Sequence, residues 1–541
     1  MTASYDKWWQ TGVIYQIYPR SFMDSNGDGI GDLQGIIDKL DYLNNGTPDS
    51  LGIDAIWMNP IFPSPMADFG YDISDYRNVE AIFGDLTSFD RLITQAHQRN
   101  IRIILDFVPN HTSDQHPWFI ESRLSRDNPR REWYIWRDAK TDGSPPNNWG
   151  SMFGGSAWSW DEETSQYYLH LFLDKQPDLN WRNPQVQEAM SDVLRFWLDR
   201  GVDGFRMDVA SYIIKDDKFR DNPPIPKAEH VPSNDLWGQQ EHIFDVHRPE
   251  VQDILRQFRH LFDSYGDRIT IGEVWAESRE QWATYFGEKL DGLHLPFNFD
   301  LLFKPWDAQI IRESVDELEA ILPEGAWGNY VLGSHDVSRL ATRFGRRSVR
   351  VAAMLLLTLR GTPTIYMGEE LGMIDGVISL DQIQDPQGLN LGADRSRDVC
   401  RTPFQWSDDR YAGFSTVTPW LPIADGYTTC NVKQQQDDAT SILNLYKRLI
   451  DLRKNTPALN RGIYQPIDST SENCFAYQRE YKDQQYLVIL NFSDVVQNPL
   501  FQAGQKNGEL VLSTELDCQD TVELNNITLR ANEGVIIKMM K

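Results

Sequence analysis

Val202-Asp-Gly-Phe-Arg-Met-Asp208 is a short apolar run that closes on an arginine and an acid. Such a run, set between a helical stretch and a polar turn, reads as a strand buried in a parallel sheet. The same theme repeats from residue 13 to about 366. Strands are expected at Val13 to Tyr18, Ile53 to Met58, Ile101 to Phe107, Val202 to Asp208, Arg268 to Val274, Gly292 to Phe297, Tyr330 to Ser334 and Pro363 to Met367. Alternation of strand and helix predicts βαβ units. Eight parallel strands fit an α/β fold of the (β/α)8 TIM-barrel type, with an insertion, better than an open sheet.

The largest gap between strands, from about Val108 to Asn180, carries Gly143-Ser-Pro-Pro146, Gly154-Gly155 and many aromatic residues with little helical periodicity. It is expected to form a lid domain at 108–180 over the barrel mouth. A polar stretch from Gly372 to Gln436 and a helical segment at Ser441 to Arg453 follow the eighth strand. Beyond Ala458 short alternating runs, such as Tyr486 to Asn491 and Ile527 to Met539, predict a C-terminal antiparallel β-sandwich at 458–541. The barrel then takes residues 1–107 and 181–457. Val351 to Leu359 reads as a buried helix, well short of the roughly 20 apolar residues that a bilayer span needs.

The 541 residues are 40% apolar with 36 glycines, a globular composition. Lys and Arg total 52 against 79 Asp and Glu, a formal charge of −27. Nucleic acid is excluded as a partner, because its binding rests on basic residues displacing counterions. An anionic membrane surface is equally disfavoured. Met1 to Gln10 has no apolar core before a small-residue cleavage site. The cysteines Cys400, Cys430, Cys474 and Cys518 are scattered and form no CxxC pair, which fits a reducing cytoplasm.

In a barrel of this kind the chemistry sits at the C-terminal ends of the strands. The third strand leads into Asp106-Phe-Val-Pro-Asn110-His111, the fourth ends Phe205-Arg206-Met207-Asp208, the fifth Gly272-Glu273-Val274-Trp275 and the seventh Ser334-His335-Asp336. A single Asp after a strand is commonly a cap or turn residue, and Asp106 is compatible with a structural role. Three acids gathered on one cavity are costly, and structural acids are seldom spent that way. Arg206, two residues before Asp208 on the same strand face, can hold that carboxylate ionised.

These four segments resemble the successive signature regions of the alpha-amylase family of glycoside hydrolases. Gln176-Pro-Asp-Leu-Asn-Trp181 and Ser64-Pro-Met-Ala-Asp68-Phe-Gly-Tyr71-Asp72 are similar to its alpha-glucosidase and oligo-1,6-glucosidase branch. The resemblance spans essentially the whole chain and implies a barrel, a lid after the third strand and a C-terminal β-sandwich. It implies a retaining double displacement with Asp208 as nucleophile, Glu273 as general acid/base and Asp336 as third acid. It further implies that His111, His335 and Asp336 bind glucose hydroxyls, that Tyr71 stacks on the ring, and that Asp68 and Arg401 close the non-reducing end. A closed pocket accepts chain ends, so the implied substrate is a small neutral oligosaccharide, cleaved exo-fashion. Transfer of glucose to an acceptor, or isomerisation of sucrose or maltose, stays open with the same site; the Arg-Leu-Asp-Arg run associated with sucrose isomerases is absent. Non-catalytic transporter heavy chains also resemble this family, but they carry a membrane span and here all the matched acids are present. Val209, directly after the nucleophile, resembles members that favour α-1,6 bonds, and linkage choice remains open.

A second signal follows the first strand: Asp24-Ser-Asn26-Gly-Asp28-Gly-Ile30-Gly-Asp32. Alternating oxygen-bearing side chains around glycine turns suit a hard cation such as Ca2+ or Mg2+. The loop begins like an EF-hand, but the twelfth position is Gly35 instead of Glu. A glycine-rich turn with Asp caps is the alternative. The family resemblance implies a structural Ca2+ or Mg2+ held by Asp24, Asn26, Asp28, Asp32 and the Ile30 carbonyl, with no organic cofactor.

Overall fold

Each expected barrel strand forms, the first six trimmed at one or both ends and the last two beginning one residue earlier than expected, in a computed structural model that describes residues 7–226, 231–501, 507–517 and 521–540. Cys518 lies outside the described residues. The strands are β1 (Ile14–Ile17), β2 (Ala55–Met58) and β3 (Arg102–Phe107). The insertion contributes β4 (Trp136–Arg137), β5 (Trp158–Asp161) and β6 (Gln166–Leu169). The barrel resumes with β7 (Gly204–Met207), β8 (Ile269–Gly272), β9 (Leu295–Pro296), β10 (Asn329–Val331) and β11 (Thr362–Tyr366). Eight of these pair in parallel in the order β10-β11-β1-β2-β3-β7-β8-β9, and β4-β6-β5 is a separate antiparallel sheet.

No ladder joins β9 to β10, yet the ring is closed by one side chain. Asn329 accepts a hydrogen bond from the Asn298 amide at 3.0 Å and donates to the Pro296 carbonyl at 2.5 Å. Barrel strands buried on both faces are mostly apolar, which is why the sequence shows near-continuous runs where alternation would mark a half-exposed strand, and among the polar exceptions Gln16, Asp106 and Arg206 point into the site. The acids come just after those runs: Asp208 follows β7 and Glu273 follows β8 by one residue.

The run at Val351 forms the helix Ser348–Thr358, buried on all sides between barrel and C-terminal sheet. Its last carbonyls are taken up by two buried arginines. Arg453 donates to Leu357 and Leu359 at 3.0 and 3.1 Å, and Arg479 donates to Thr358. Beyond it lie β12 (Ile463–Ile467), β13 (Cys474–Tyr481), β14 (Gln484–Asn491), β15 (Asn507–Ser513), β16 (Thr521–Glu523) and β17 (Gly534–Met539), in the order β12-β13-β14-β17-β15-β16. Alternation sorts their two faces: Phe475, Tyr477 and Val488 join the main core, whereas Ala476, Leu487 and Ile489 form a smaller one. Where the alternating runs predict two layers of sheet, the described strands pair as one sheet. Its outer face is covered by Phe501, Leu524, Ile527 and Leu529. No helix among the described residues is long and apolar enough to cross a membrane.

Asn329→Ala removes both bonds across the seam and leaves the Asn298 amide and the Pro296 carbonyl unpaired. A loss of about 2 kcal/mol in chemical denaturation is expected; an unchanged midpoint would show that the seam closes without it.

Candidate active site

Arg206 stands at the centre of the β-strand ends, fully buried. Its Nη1 reaches Asp208 Oδ1 at 2.8 Å and Asp106 Oδ1 at 3.2 Å, and its Nη2 reaches Glu273 Oε2 at 2.5 Å. Asp208 and Glu273 thus face each other across the width of one guanidinium. The sequence suggests an arginine serving Asp208 alone; the structure divides it among three acids. One positive charge cannot neutralise three, and the protonation pattern follows. Burial pushes Asp106 up to about 6 despite Arg206 and the hydrogen bonds from Tyr71 and Trp57. Burial, and next the Glu273 charge, raise Asp208 well above the carboxylate range against the pull of Arg206. Arg206 is also penalised by burial, but the surrounding carboxylates outweigh that and hold it firmly charged.

Glu273 has a fixed setting. The Val209 amide donates to Oε2 at 3.0 Å and the Trp275 indole to Oε1 at 2.7 Å. Val209 has φ +37°, a strained value for a β-branched residue, and it places that amide on the acid.

These groups line a cavity of ≈ 200 Å³ at the barrel mouth, below the roughly 300–1,000 Å³ of drug-sized clefts. Asp68, Tyr71, His111, His335 and Asp336 all line it, so it gathers most of the residues expected to hold sugar. Tyr71 stacks flat on His335, with ring centroids 5.7 Å apart, and its hydroxyl donates to Asp106 at 2.8 Å. Gln16 Nε2 donates to His335 Nδ1 at 2.8 Å, so the proton of the neutral ring is on Nε2, 3.1 Å from Asp336 Oδ2. Burial drives His335 far below its usual range, and burial with the Lys215 charge takes His111 down to about 3. Both histidines are therefore neutral hydrogen-bonding groups. Burial alone would raise Asp336, but His335, Arg397 and Arg401 together hold it well below the carboxylate range. Because His335 is neutral, the two arginines supply the charge in that balance.

The expected pairing of Asp68 with Arg401 is corrected. Arg401 turns away, donating to Asp336 Oδ1 at 2.9 Å and to the His335 carbonyl at 2.8 Å. Asp68 pairs with Arg397 at 2.9 Å, and Arg397 also grips Asp385 at 2.6 Å. The two arginines open and follow the short turn Arg397–Cys400, and Arg397 lines the cavity and reaches the Asp68 carboxylate whereas Arg401 does not line it. Their spacing of four residues is the signal that could have pointed to Arg397. Also missed is Lys215, buried, with Nζ 2.6 Å from both Asp178 Oδ2 and Asn110 Oδ1. It ties Gln176-Pro-Asp178 of the insertion to the loop that carries His111, and Gln176 itself donates to Asp68 at 3.1 Å.

The Asp24–Asp32 loop lies apart, packed on residues 414–420. Gly29 has φ +91°, and a Cβ there would sit 2.5 Å from the Thr418 carbonyl. Asp24 accepts from the amides of Asn26, Gly27 and Gly29, and Asp32 caps the helix Leu33–Asp38 through Gly35. Among the described residues no three Asp, Glu, His or Cys side chains converge as a metal cluster. A cation in the loop would need the Asn26 amide and Ile30 carbonyl as well, an all-oxygen set that suits a hard ion.

A parallel barrel with paired acids bridged by arginine at its mouth, beside a pocket of about the size of one sugar ring, defines the site of a barrel glycoside hydrolase. The chain belongs to the alpha-amylase family, whose catalytic domain ("Alpha amylase, catalytic domain") matches residues 16–462. It is 43% identical to a probable alpha-glucosidase of Rhizobium meliloti (strain 1021), over 90% of each chain. It is 38% identical to an oligo-1,6-glucosidase of Bacillus cereus, over 98% of this chain and 99% of that one. Among solved structures, an alpha-glucosyl transfer enzyme, XgtA, superposes with TM-score 0.91 at 41% identity, covering 99% of this chain and 100% of that one. The trehalulose synthase MutB of Pseudomonas mesoacidophila MX-45 gives 0.88 at 36% identity, covering 98% and 99%.

A raised carboxyl pKa gives a definite stability signature. With Asp106 at about 6 folded against 3.8 ordinarily, the folded state binds the extra proton, and this stability is lost as pH rises through 6. Asp106→Asn should therefore gain on the wild type by about 3 kcal/mol between pH 4 and 7 in urea midpoints. A constant difference across that range would contradict the assignment.

Proposed function

We propose that the chain is a retaining, exo-acting α-glucosidase that releases glucose from the non-reducing end of short α-linked oligosaccharides or disaccharides. The observation that carries this reading is the single guanidinium binding both Asp208 and Glu273, which suits the roughly 5–5.5 Å separation of a retaining pair. Asp208 has one oxygen on Arg206 and keeps the other for attack on the anomeric carbon. As positive charge develops there, the ionised form of Asp208 is favoured, and Glu273 supplies the proton to the leaving oxygen. Glu273 protonates the leaving oxygen, a glucosyl ester forms on Asp208, and Glu273 then takes a proton from the attacking water. Asp336 and the neutral His335 and His111 are placed to hold hydroxyls. Asp68 with Arg397 blocks the far end of the pocket, which supports removal of single terminal units.

The mouth gives some support to glucosyl transfer as a second activity. Met152, Phe153, Val209, Trp275, Phe303 and Val337 give the cavity apolar lining, which favours an acceptor over water, and the XgtA and MutB neighbours bear transfer and synthase names.

We also propose that the Asp24–Asp32 loop holds a structural Ca2+ or Mg2+ through Asp24, Asn26, Asp28, Asp32 and the Ile30 carbonyl. The setting proposed is the cytoplasm, supported by Cys400, Cys430 and Cys474 remaining free thiols.

Proton NMR of the first glucose released from p-nitrophenyl α-glucoside, whose leaving group is not a sugar, tests the main reading: α-glucose should appear before mutarotation, and initial β-glucose would exclude double displacement. Dialysis against a chelator should lower the melting midpoint by several degrees, restored by Ca2+ or Mg2+. An unmoved midpoint would remove the cation.

A further inference from the structure

Trp275 stands where the catalytic cavity meets a second groove of ≈ 420 Å³ that continues past Phe299. Its ring lies on Phe299, with centroids 4.6 Å apart at 23°. Its carbonyl is 2.7 Å from His247 Nε2, and His247 Nδ1 meets the Tyr285 hydroxyl at 2.8 Å. The indole is therefore braced on one face and along its backbone. So held, Nε1–H donates to Glu273 Oε1 at 2.7 Å.

The two oxygens of Glu273 are not equivalent. Oε2 faces the Arg206 guanidinium and the Val209 amide, neither of which can accept a proton. Oε1 faces a single donor, the indole, and its second lone pair is where an acidic proton can sit and be passed on. We propose that Trp275 is a positioning residue, which fixes Oε1 as the atom that carries the proton to the leaving group. This inference rests on the assignment of Glu273 as general acid/base. In glucosylation the Oε1–H bond breaks and the proton goes to the glycosidic oxygen. The C1–O bond breaks with its electron pair on that oxygen, and an Asp208 oxygen bonds to C1. In the second step water bonds to C1, gives its proton back to Oε1, and the Asp208–C1 bond breaks. The indole only donates a hydrogen bond and transfers nothing.

Trp275→Phe keeps an aromatic face on Phe299 and deletes the N–H. The readout is kcat/KM, taken here as the measure of the glucosylation step, on maltose and on α-glucosyl fluoride, whose leaving group needs no proton. Trp275→Phe should lose about tenfold on maltose and stay within about twofold on the fluoride, with an unchanged melting midpoint. Glu273→Gln, run in parallel, should show the same split more strongly; if it does not, the assignment of Glu273 fails and the role of Trp275 falls with it, whereas a split for Glu273→Gln with none for Trp275→Phe overturns the role of Trp275 alone. Equal losses on both substrates from Trp275→Phe would mark a packing role and overturn the proposal, as would no loss on either. Should that variant not fold, Phe299→Leu, which loosens the indole but keeps its N–H, should give a smaller split, and its absence would be equally contrary.

Discussion

One guanidinium facing three buried carboxylates sets the chemistry of this molecule. Arg206 contacts Asp106, Asp208 and Glu273 at 2.5 to 3.2 Å. Without it, three carboxylates could not be buried together at this spacing. With it, negative charge stays in excess, and the excess is met by raised carboxyl groups at Asp106 and Asp208. A proton is thus kept within reach of Glu273, which gives it up and takes it back, while Asp208 is left to bond to carbon.

Around that centre the pocket is built in shells that carry little net charge. His111 and His335 are neutral, and each is oriented by side-chain amides: Asn110 and Gln176 for the first, Gln16 and Asn59 for the second. The far wall is an ionic lattice in which Arg397 and Arg401 meet Asp68, Asp336 and Asp385. These are long-range contacts, joining the loop after β2 to segments that follow β10 and β11. Lys215 ties both ends of the insertion, at Asn110 and Asp178, to the barrel beside the pocket.

Much of this was legible in the chain because strands and their ends are local. Runs such as Ile101 to Phe107 are continuous since both faces are buried, and Asp208 and Glu273 follow their strands by one residue. The helix Ser348–Thr358 was readable from unbroken hydrophobicity. Less legible was anything decided by which of two similar groups wins a partner. Arg397 and Arg401 are one turn apart, and only packing decides that the former meets Asp68. The sharing of Arg206 among three acids depends on β3, β7 and β8 lying side by side, which no local pattern encodes. Likewise the alternation in β13 and β14 marks two buried faces but not what covers the outer one.

The account depends on Asp208 forming a bond to glucose. Incubation with 5-fluoro-α-glucosyl fluoride, whose second fluorine slows release, followed by proteolysis and mass spectrometry, tests this directly. The account predicts a glucosyl adduct on the peptide containing Asp208, localised to that side chain. An adduct on another carboxylate, or inactivation with no adduct, would contradict it.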